Sequence, residues 1–236
     1  MNDHLATQVL KNVKASYVAI ADEFDQTRRM PWKEFAFFLP YIRKGMRVLD
    51  AGCGNGRLYE YLQKRDIQYV GIDGSGPLIK IAKKRHPEAE FCVDELHTLK
   101  SVSGDLDAIF CIAAFHHLPS VALRRQALQS MRALLKKDGV LILTVWNLYQ
   151  KKYRKPRLRA AFSFLNHFGL KYAWNDVWIP SGKEKPKRYY HAFRPGELRR
   201  LFDPAQWAID ELYFTRQGNR VGPKEAYNIC VVARKL

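Results

Sequence analysis

The sequence predicts an α/β fold built on a doubly wound, mostly parallel sheet of seven strands. Two observations carry this prediction: strand-like apolar runs alternate with helix-like stretches through the middle of the chain, and a glycine-rich turn follows the first of those strands. Repeated strand–helix alternation implies parallel strands with right-handed crossovers. The 236 residues, 47% apolar and 27% charged, suit one globular domain of this class.

Apolar runs and helix signals place the elements in chain order. Strands are predicted at residues 47–50, 69–73, 90–93, 108–114 and 140–146, and two more at 207–215 and 227–234. Helices are predicted at 57–64, at 77–85 with proline at the start, at 120–135 with Ser120 as the cap, and at 195–202. A turn at 138–139 leads into the fifth strand.

Charge is the first hint of a partner. Lys and Arg outnumber Asp and Glu by 40 to 23, which gives a net charge of +17. Residues 151–188 alone hold 11 basic and 2 acidic residues, interleaved with aromatic ones. Such a segment favours a polyanionic partner, although a solubilising face would have the same composition.

The same sequence argues against several classes. The longest apolar runs, 108–115 and 140–146, fall far short of the roughly 18 residues of a membrane span. The N-terminal stretch has no apolar core of a signal peptide, and the four cysteines form no CxxC pair. We therefore expect a reduced, cytoplasmic protein with no membrane contact and no metal site of its own.

The most informative stretch is the turn DAGCGNG at residues 50–56. Its GxGxG spacing differs from the GxGxxG of dinucleotide-binding proteins, and no GK[ST] follows, which excludes a P-loop. Ligands of open α/β sheets bind at this edge. Asp73 ends the second predicted strand and suits ribose hydroxyls, and Asp94 follows the third and suits an adenine amino group. With no cluster of Lys or Arg expected at the turn, a nucleoside is favoured over a pyrophosphate.

These features suit S-adenosylmethionine, and the alternative is a structural turn with two capping acids. The predicted cofactor-binding residues are Trp32, Asp50, Gly52, Cys53, Gly54, Asn55, Gly56, Asp73, Gly74, Ser75, Asp94, Glu95, Leu96, Ala113 and His117. His117 is also expected to hold its loop.

At this point the sequence resembles the class I S-adenosylmethionine-dependent methyltransferases, whose fold is Rossmann-like. Three further stretches narrow the resemblance: DQTRRMPW at 25–32, IAAFHHL at 112–118 followed by RRQAL at 124–128, and RYYHAF at 188–193 followed by GEL. In this combination and order they resemble the wobble-uridine tRNA methyltransferases, including the AlkB-homologue-8 type. The resemblance runs from about residue 17 to the C-terminus.

The resemblance implies a reaction and two partners. Its members esterify a carboxymethyl group on the wobble uridine of tRNA, and relatives work with a small zinc-containing activator protein that covers apolar surface of the methyltransferase. Arg29-Met30 and Lys33 depart from the family pattern, and residues 151–185 match no family motif. The identity of the modified uridine therefore stays open.

A carboxylate acceptor is ionised at pH 7 and needs no general base, so catalysis is mainly positioning. The candidate catalytic residues are Arg28, His116, Arg188, Tyr189 and His191. Arg28 and Arg188 offer bidentate geometry to a carboxylate, and His116 is expected to face the substrate. Each candidate also has a structural explanation: the arginine lies on the surface, the histidine is structural, or the aromatic residues pack the insertion.

The chain is predicted to be one domain: an N-terminal helical cap (1–45), a cofactor-binding core (46–146), a basic-aromatic insertion after the fifth strand (147–190), and a C-terminal helix and strand pair (191–236). The candidate RNA-binding residues are Lys151, Lys152, Arg154, Lys155, Arg157, Arg159, Lys183, Lys185 and Lys187. Two other functions stay open: methylation of a small carboxylate or phenol, and RNA binding without catalysis.

Overall fold

The computed structural model describes residues 1–28, 30, 32–166, 172–180 and 187–236. The strands are β1 (Arg47–Ala51), β2 (Gln68–Asp73), β3 (Glu90–Val93), β4 (Leu106–Ile112), β5 (Leu135–Trp146), β6 (Asp176–Pro180), β7 (Lys187–His191), β8 (Trp207–Arg216), β9 (Asn219–Arg220) and β10 (Asn228–Lys235). The helices are α1 (Asp3–Ala19), α2 (Ala21–Thr27), α3 (Arg57–Leu62), α4 (Gly76–Arg85), α5 (Val121–Leu134), α6 (Arg154–Asn166) and α7 (Pro195–Arg200).

The main sheet has the strand order β3-β2-β1-β4-β5-β10-β8-β9. Strands β1 to β5 are parallel. Strand β10 runs antiparallel to both of its neighbours, β5 and β8, so β8 runs in the same direction as β1 to β5. The seven predicted strands are all present, and the doubly wound fold is confirmed. The two-residue β9 adds an eighth strand at one edge.

Buried side chains cover both faces of the sheet. On β1, Val48 packs into one apolar cluster and Leu49 into the other, because successive strand residues point to opposite faces. The cluster around Leu49 includes Met131 from α5, and the cluster around Val48 includes Phe38 from a 3-10 helix at Lys33–Tyr41. Burial on both faces explains why these strands read as continuous apolar runs.

The predicted turn before the fifth strand is a bulge within β5. Leu135 pairs with Leu106, but the next pairing joins Val140 to Ala108, so the residues between bulge outward. Asp138 has a positive φ of 61° there. Strand β5 therefore begins earlier than the sequence predicts.

The segment after β5 packs on the sheet rather than apart from it. It forms a 3-10 turn at Lys151–Tyr153, then α6, then the β6–β7 hairpin, in which Ile179 faces Arg188. Strand β7 contacts α1, where Val9 and Val13 pack around Tyr189. The N-terminal helix and the hairpin thus cover the same side of the molecule.

Two absences concern the described ranges alone. No helix in the part of the chain that the structure describes is long and apolar enough to cross a membrane. Within the same residues, no group of three or more His, Cys, Asp or Glu side chains is placed to hold a metal ion.

Candidate cofactor and acceptor site

A cavity of about 300 Å³ lies at the carboxyl ends of the parallel strands, where the sequence predicts the ligand. Helices α1 and α2 form its outer wall, through Leu10, Tyr17 and Phe24. Fifteen of the predicted site residues line it: Arg28, Trp32, Asp50, Gly52, Cys53, Gly54, Asn55, Asp73, Gly74, Ser75, Glu95, Leu96, Ala113, His117 and Arg188. Gly56, Asp94, His116, Tyr189 and His191 do not line it.

The glycine-rich turn is held close to strand β2. The amides of Gly52 and Cys53 both donate to the Ile72 carbonyl, at 2.8 Å. Gly52 has a φ of 88°, and a Cβ there would lie 2.5 Å from the Cβ of Ala114. Gly56 caps the start of α3 and faces away from the cavity, since a Cβ on it would lie 3.1 Å from the rings of His86 and Phe91. Gly56 is therefore not among the residues that line the cavity, and its cofactor contact stays a prediction.

Asp73 has the geometry expected of a ribose acceptor. Its Oδ2 accepts from the Gly54 amide at 3.0 Å, and its Oδ1 accepts from the Ser75 amide at 2.8 Å. These bonds fix the carboxylate between two turns and leave lone pairs for hydroxyl donors. Asp50 lies beneath, where burial raises the pKa of its carboxyl to about 7, and Tyr69 donates to it at 2.8 Å.

Asp94 is a correction to the sequence prediction. Its Oδ2 accepts from the amide and the hydroxyl of Ser101, both at 2.7 Å, so the carboxylate caps its own loop. Glu95 lines the cavity instead, and Lys14 from α1 pairs with it at 2.8 Å. A turn at the end of a strand rotates consecutive side chains apart, which strand spacing cannot foresee.

Asn55 ties α2 to the glycine-rich turn. Its Nδ2 donates to Asp25 Oδ1 at 2.8 Å and to the Arg28 carbonyl at 3.2 Å. Arg85 pairs with the same Asp25 oxygen. The backbone of Arg28 is thereby held at the cavity, and its guanidinium lies 4.4 Å from the Phe24 ring centroid.

Successive side chains of β7 point to opposite sides of the strand, so only some of them reach the cavity. Arg188 lines the cavity although only 5% of it is exposed. Its Nε donates to Ser16 Oγ at 2.8 Å, its Nη1 to the Tyr190 hydroxyl at 3.4 Å, and its guanidinium carbon lies 3.8 Å from the Tyr17 ring centroid. Its Nη2 is buried with no hydrogen-bond partner, and no carboxylate of the described residues lies within ion-pair distance. A buried cation without a counterion is the strongest anion-binding feature of the cavity.

Tyr189 and His191, both predicted to be catalytic, lie on the other side of β7. The Tyr189 hydroxyl donates to Asp176 Oδ1 at 2.6 Å and accepts from Arg124 at 3.2 Å. His191 lies between Asp176, at 2.7 Å, and Glu197, at 2.5 Å. The two side chains hold the hairpin to α5 and α7 and do not line the cavity, so the structure gives their predicted substrate contact no support.

Of the two adjacent histidines, the one expected to face the substrate, His116, does not line the cavity. His117 lines the cavity: its Nδ1 donates to the Tyr189 carbonyl at 2.9 Å, so its Nε2 accepts from the Tyr17 hydroxyl at 2.8 Å. His116 is 1% exposed, and its Nδ1 accepts from the Trp146 amide at 3.2 Å. The 3-10 turn at Phe115–His117 turns consecutive side chains about 120° apart, which places His116 behind the wall.

Burial sets the protonation of both histidines. It lowers the pKa of His117 to about 3, and the nearby Arg188 adds to the effect against the Tyr189 carbonyl bond. It also lowers the pKa of His116 well below its usual range. Both rings are therefore neutral at pH 7.

Sequence reasoning missed fourteen of the residues that line the cavity, and four of these bring a cation or a large aromatic ring with a polar group to it: Lys14, Tyr17, Arg57 and Trp146. The expectation of no basic cluster at the turn is wrong, because α1 and the end of the hairpin return to it from distant parts of the chain. A signal existed only for Tyr17, where the resemblance begins.

Most of the predicted RNA-binding residues are on the surface. Lys151, Lys152, Arg154, Lys155, Arg159 and Lys187 are exposed, and Arg157 is half-buried against the Tyr149 ring. Lys183 and Lys185 lie outside the described residues. Their role in RNA binding stays a prediction.

The doubly wound sheet, with the glycine-rich turn and Asp73 lining a cavity at the carboxyl ends of its strands, is that of a class I S-adenosylmethionine-dependent methyltransferase. A family profile described as "Methyltransferase domain" matches residues 23–212. The chain has 31% identity to "tRNA (carboxymethyluridine(34)-5-O)-methyltransferase" of Schizosaccharomyces pombe, over 85% of this chain and 90% of that protein. The chain therefore belongs to the methyltransferase-domain family and, within it, to the wobble-uridine tRNA methyltransferases.

Other comparisons agree with this placement. The Xenopus tropicalis protein "tRNA (carboxymethyluridine(34)-5-O)-methyltransferase alkbh8" is 39% identical over 60% of this chain, which matches 22% of that protein. The match thus spans about a fifth of the length of that protein. A solved methyltransferase of Methanosarcina mazei superposes with a TM-score of 0.70 at 22% identity, covering 85% of this chain and 97% of the other.

S-adenosylmethionine is the cofactor of this family, and the cavity fits it. Asp73 can accept ribose hydroxyls, Glu95 and Leu96 border the next position along the sheet edge, and Lys14, Arg28, Arg57 and Arg188 provide cations for carboxylates. When bound there, the cofactor supplies an electrophilic methyl group on a sulfonium.

Proposed function

We propose that this chain methylates the carboxylate of a carboxymethylated wobble uridine in the anticodon of tRNA, in the cytoplasm. Support comes from the family, from the printed activities of the relatives, and from the basic-aromatic segment after β5. The observation that carries the proposal is the buried Nη2 of Arg188, which has no partner among the described residues.

Arg188 favours an ionised acceptor over a neutral one. Burying a lone guanidinium costs several kcal/mol, and an arriving carboxylate restores the missing counterion. A carbamoyl or unmodified uridine brings no negative charge and leaves Nη2 unsatisfied. Selectivity for the carboxylate therefore follows from a charge that the folded chain leaves uncompensated.

The proposed reaction needs no general base in the cavity. The acceptor carboxylate is already ionised at pH 7. His117 is neutral, and the Tyr17 hydroxyl occupies its Nε2. The chain's own residues thus bind and orient the reactants. Asp73 binds the nucleoside, Arg188 binds the acceptor carboxylate, and the Tyr17 ring fixes the plane of the Arg188 guanidinium. Positioning of this kind can lower a barrier by about 7–11 kcal/mol.

The proposal includes a small zinc-containing activator protein as a second partner. One solved neighbour is a Haloferax volcanii complex "between the Haloferax volcanii Trm112 methyltransferase activator and the putative methyltransferase", with a TM-score of 0.65 at 15% identity. We expect the chain to gain solubility or activity when such an activator is co-expressed with it.

The test is methyl transfer from labelled S-adenosylmethionine to tRNA from a strain that lacks this gene, with and without the activator. Mass spectrometry of the nucleosides should show a methyl ester on a uridine, and mild base should release the label. Label in a base-stable position would contradict the proposal. Transfer only to free carboxylates or phenols, with tRNA inert in both conditions, would favour a small-molecule acceptor.

A further inference from the structure

Two stacks of cations on aromatic rings lie on the surface beside the cavity. In the first, Tyr227 carries Lys152, whose Nζ is 5.4 Å from the ring centroid, and Arg216, whose guanidinium carbon is 4.9 Å from it. Lys152 comes from the turn after β5. Arg216 is the last residue of β8, and Tyr227 directly precedes β10. The C-terminal strands thus join the surface predicted from the basic segment.

The second stack is built around Tyr149. Arg157 lies 4.4 Å and Arg194 lies 5.6 Å from its ring centroid, and Arg194 Nε donates to the Tyr149 hydroxyl at 3.1 Å. Arg194 also lies 4.6 Å from the Trp174 ring centroid. Five segments of the chain therefore contribute to one set of cations and rings, which we call the cation–aromatic surface: Tyr149, Lys152, Trp174, Arg194, Arg216 and Tyr227.

The cation–aromatic surface continues the wall of the cavity. Trp146 lines the cavity, and it packs with Tyr149 and Tyr153 on the apolar cluster that contains Tyr190. Trp146 and Tyr190 stack with a centroid distance of 5.0 Å. A ligand whose reacting group enters the cavity therefore has its neighbouring parts close to this surface.

The charge of the surface is not neutralised by the protein. Two exposed cations elsewhere do have carboxylate partners: Lys136 pairs with Asp107 and Arg234 with Asp210, both at 2.7 Å. Within the described ranges, no carboxylate lies within 4.0 Å of the Lys152, Arg194 or Arg216 side chain. The sequence between Asp138 and Asp176 contains no acidic residue at all.

We propose that the cation–aromatic surface binds single-stranded RNA, namely the anticodon-loop nucleotides next to the acceptor base. The inference rests on the proposed function and names residues outside the predicted basic segment. Lysines and arginines neutralise phosphates, and ring faces stack on bases that a duplex would keep inside. Trp174 is 38% and Tyr227 36% exposed, so part of each ring is open to a base. An acidic protein partner would pair with the cations, but unlike RNA it would bring no bases to stack on the rings.

The experiment separates charge from stacking on the full-length protein. The charge variant is Arg194→Gln with Arg216→Gln, and the ring variant is Trp174→Leu with Tyr227→Leu. Lys64→Gln with Arg65→Gln is the control, because both side chains are exposed and basic but lie on the Gln63–Arg65 turn before β2. Binding is measured over a salt series with an anticodon stem-loop RNA, an oligouridylate strand and an RNA duplex of equal length.

The charge variant should weaken binding to the stem-loop and reduce its logarithmic salt slope by about 0.7 for each phosphate that is no longer neutralised. The ring variant should raise the Kd for the stem-loop and the oligouridylate roughly 5- to 100-fold, with a change of less than about 2-fold for the duplex. The control should leave all three unchanged.

Two results would overturn the inference. Wild-type affinity and salt slope in both variants would remove RNA from this surface and favour an acidic protein. An equal loss of duplex and single-strand binding in the ring variant would show that the rings do not stack on bases. Methyl transfer by the wild type to free carboxymethyluridine, which is too small to reach the surface, tests the proposed function separately.

Discussion

Asp73 is the residue on which the cofactor end of the cavity depends. Both of its carboxylate oxygens accept backbone amides, from the glycine-rich turn and from the turn that starts α4. The side chain therefore has two tasks, since it keeps the two turns together and presents the remaining lone pairs to the nucleoside.

Replacing Asp73 should strongly weaken cofactor binding. Asp73→Asn is expected to raise the Kd for S-adenosylmethionine about 100-fold, since it loses a charge-assisted acceptor in a buried site worth roughly 2–3 kcal/mol. Asp94→Asn is the matched control: it follows the neighbouring strand but caps its own loop, so its Kd should stay within about 3-fold of wild type. Calorimetry measures the Kd for S-adenosylmethionine in both variants. A larger rise in the Kd for Asp94→Asn than for Asp73→Asn would identify Asp94 as the cofactor ligand.

His117 should give stability a pH dependence of known sign. Its pKa of about 3 in the folded chain lies below the ordinary value of about 6.5, so the unfolded chain binds the additional proton between these values. The contribution is complete above about pH 6.5 and is lost as the pH falls towards 3.

The pH prediction is tested by subtraction. The difference in the free energy of unfolding between wild type and His117→Gln should shrink by about 1.4 kcal/mol for each pH unit as the pH falls from about 6 to 4. Subtraction removes the opposite contribution of Asp50, whose pKa is raised. Urea denaturation at several pH values gives the difference, and a constant difference would mean that His117 is protonated normally.

At the scale of elements, β7 links the cavity to the scaffold. Arg188 points to the cavity side, and Tyr189 and His191 belong to the network of Asp176, Arg124 and Glu197. The Tyr189 carbonyl also holds His117. Strand β7 thus connects α5 and α7 to Arg188 and His117 and holds these two cavity residues in place.

Tyr189→Phe should lower stability without weakening cofactor binding. The change removes a donor to buried Asp176 and an acceptor from buried Arg124, which should cost about 1–3 kcal/mol of unfolding free energy. Tyr213→Phe is the control, since its buried hydroxyl has no partner among the described residues and its removal should be neutral. Equal effects of the two variants on urea denaturation would show that the Tyr189 network contributes no stability.

Local patterns determine the sheet but not the acceptor wall. The apolar runs and the turn at residues 50–56 predict the strands and the cofactor edge, because each depends on a few neighbouring residues. Tyr17 and Arg188 meet across the length of the chain, and no local pattern encodes that contact. The resemblance selected Arg188, which does line the cavity, but the sequence could not show which of His116 and His117 the 3-10 turn places in the wall.

At the scale of the whole molecule, the N-terminal helix and the β6–β7 hairpin meet around the uncompensated charge of Arg188. Helix α1 supplies Ser16 and Tyr17, the hairpin after β5 supplies Arg188, and the sheet edge supplies the cofactor residues. The central claim is that this arrangement selects an ionised acceptor.

The most direct test compares two anticodon stem-loops that differ only at the wobble uridine, one with a carboxymethyl and one with a carbamoylmethyl group. Wild type should bind the carboxylate at least about 10-fold more tightly, and Arg188→Gln should lose that preference while keeping its affinity for S-adenosylmethionine within about 3-fold. Arg188→Lys, which keeps the charge but not the planar fork, should retain part of the preference. Equal affinity of the wild type for both stem-loops, or an unchanged preference in Arg188→Gln, would contradict the account.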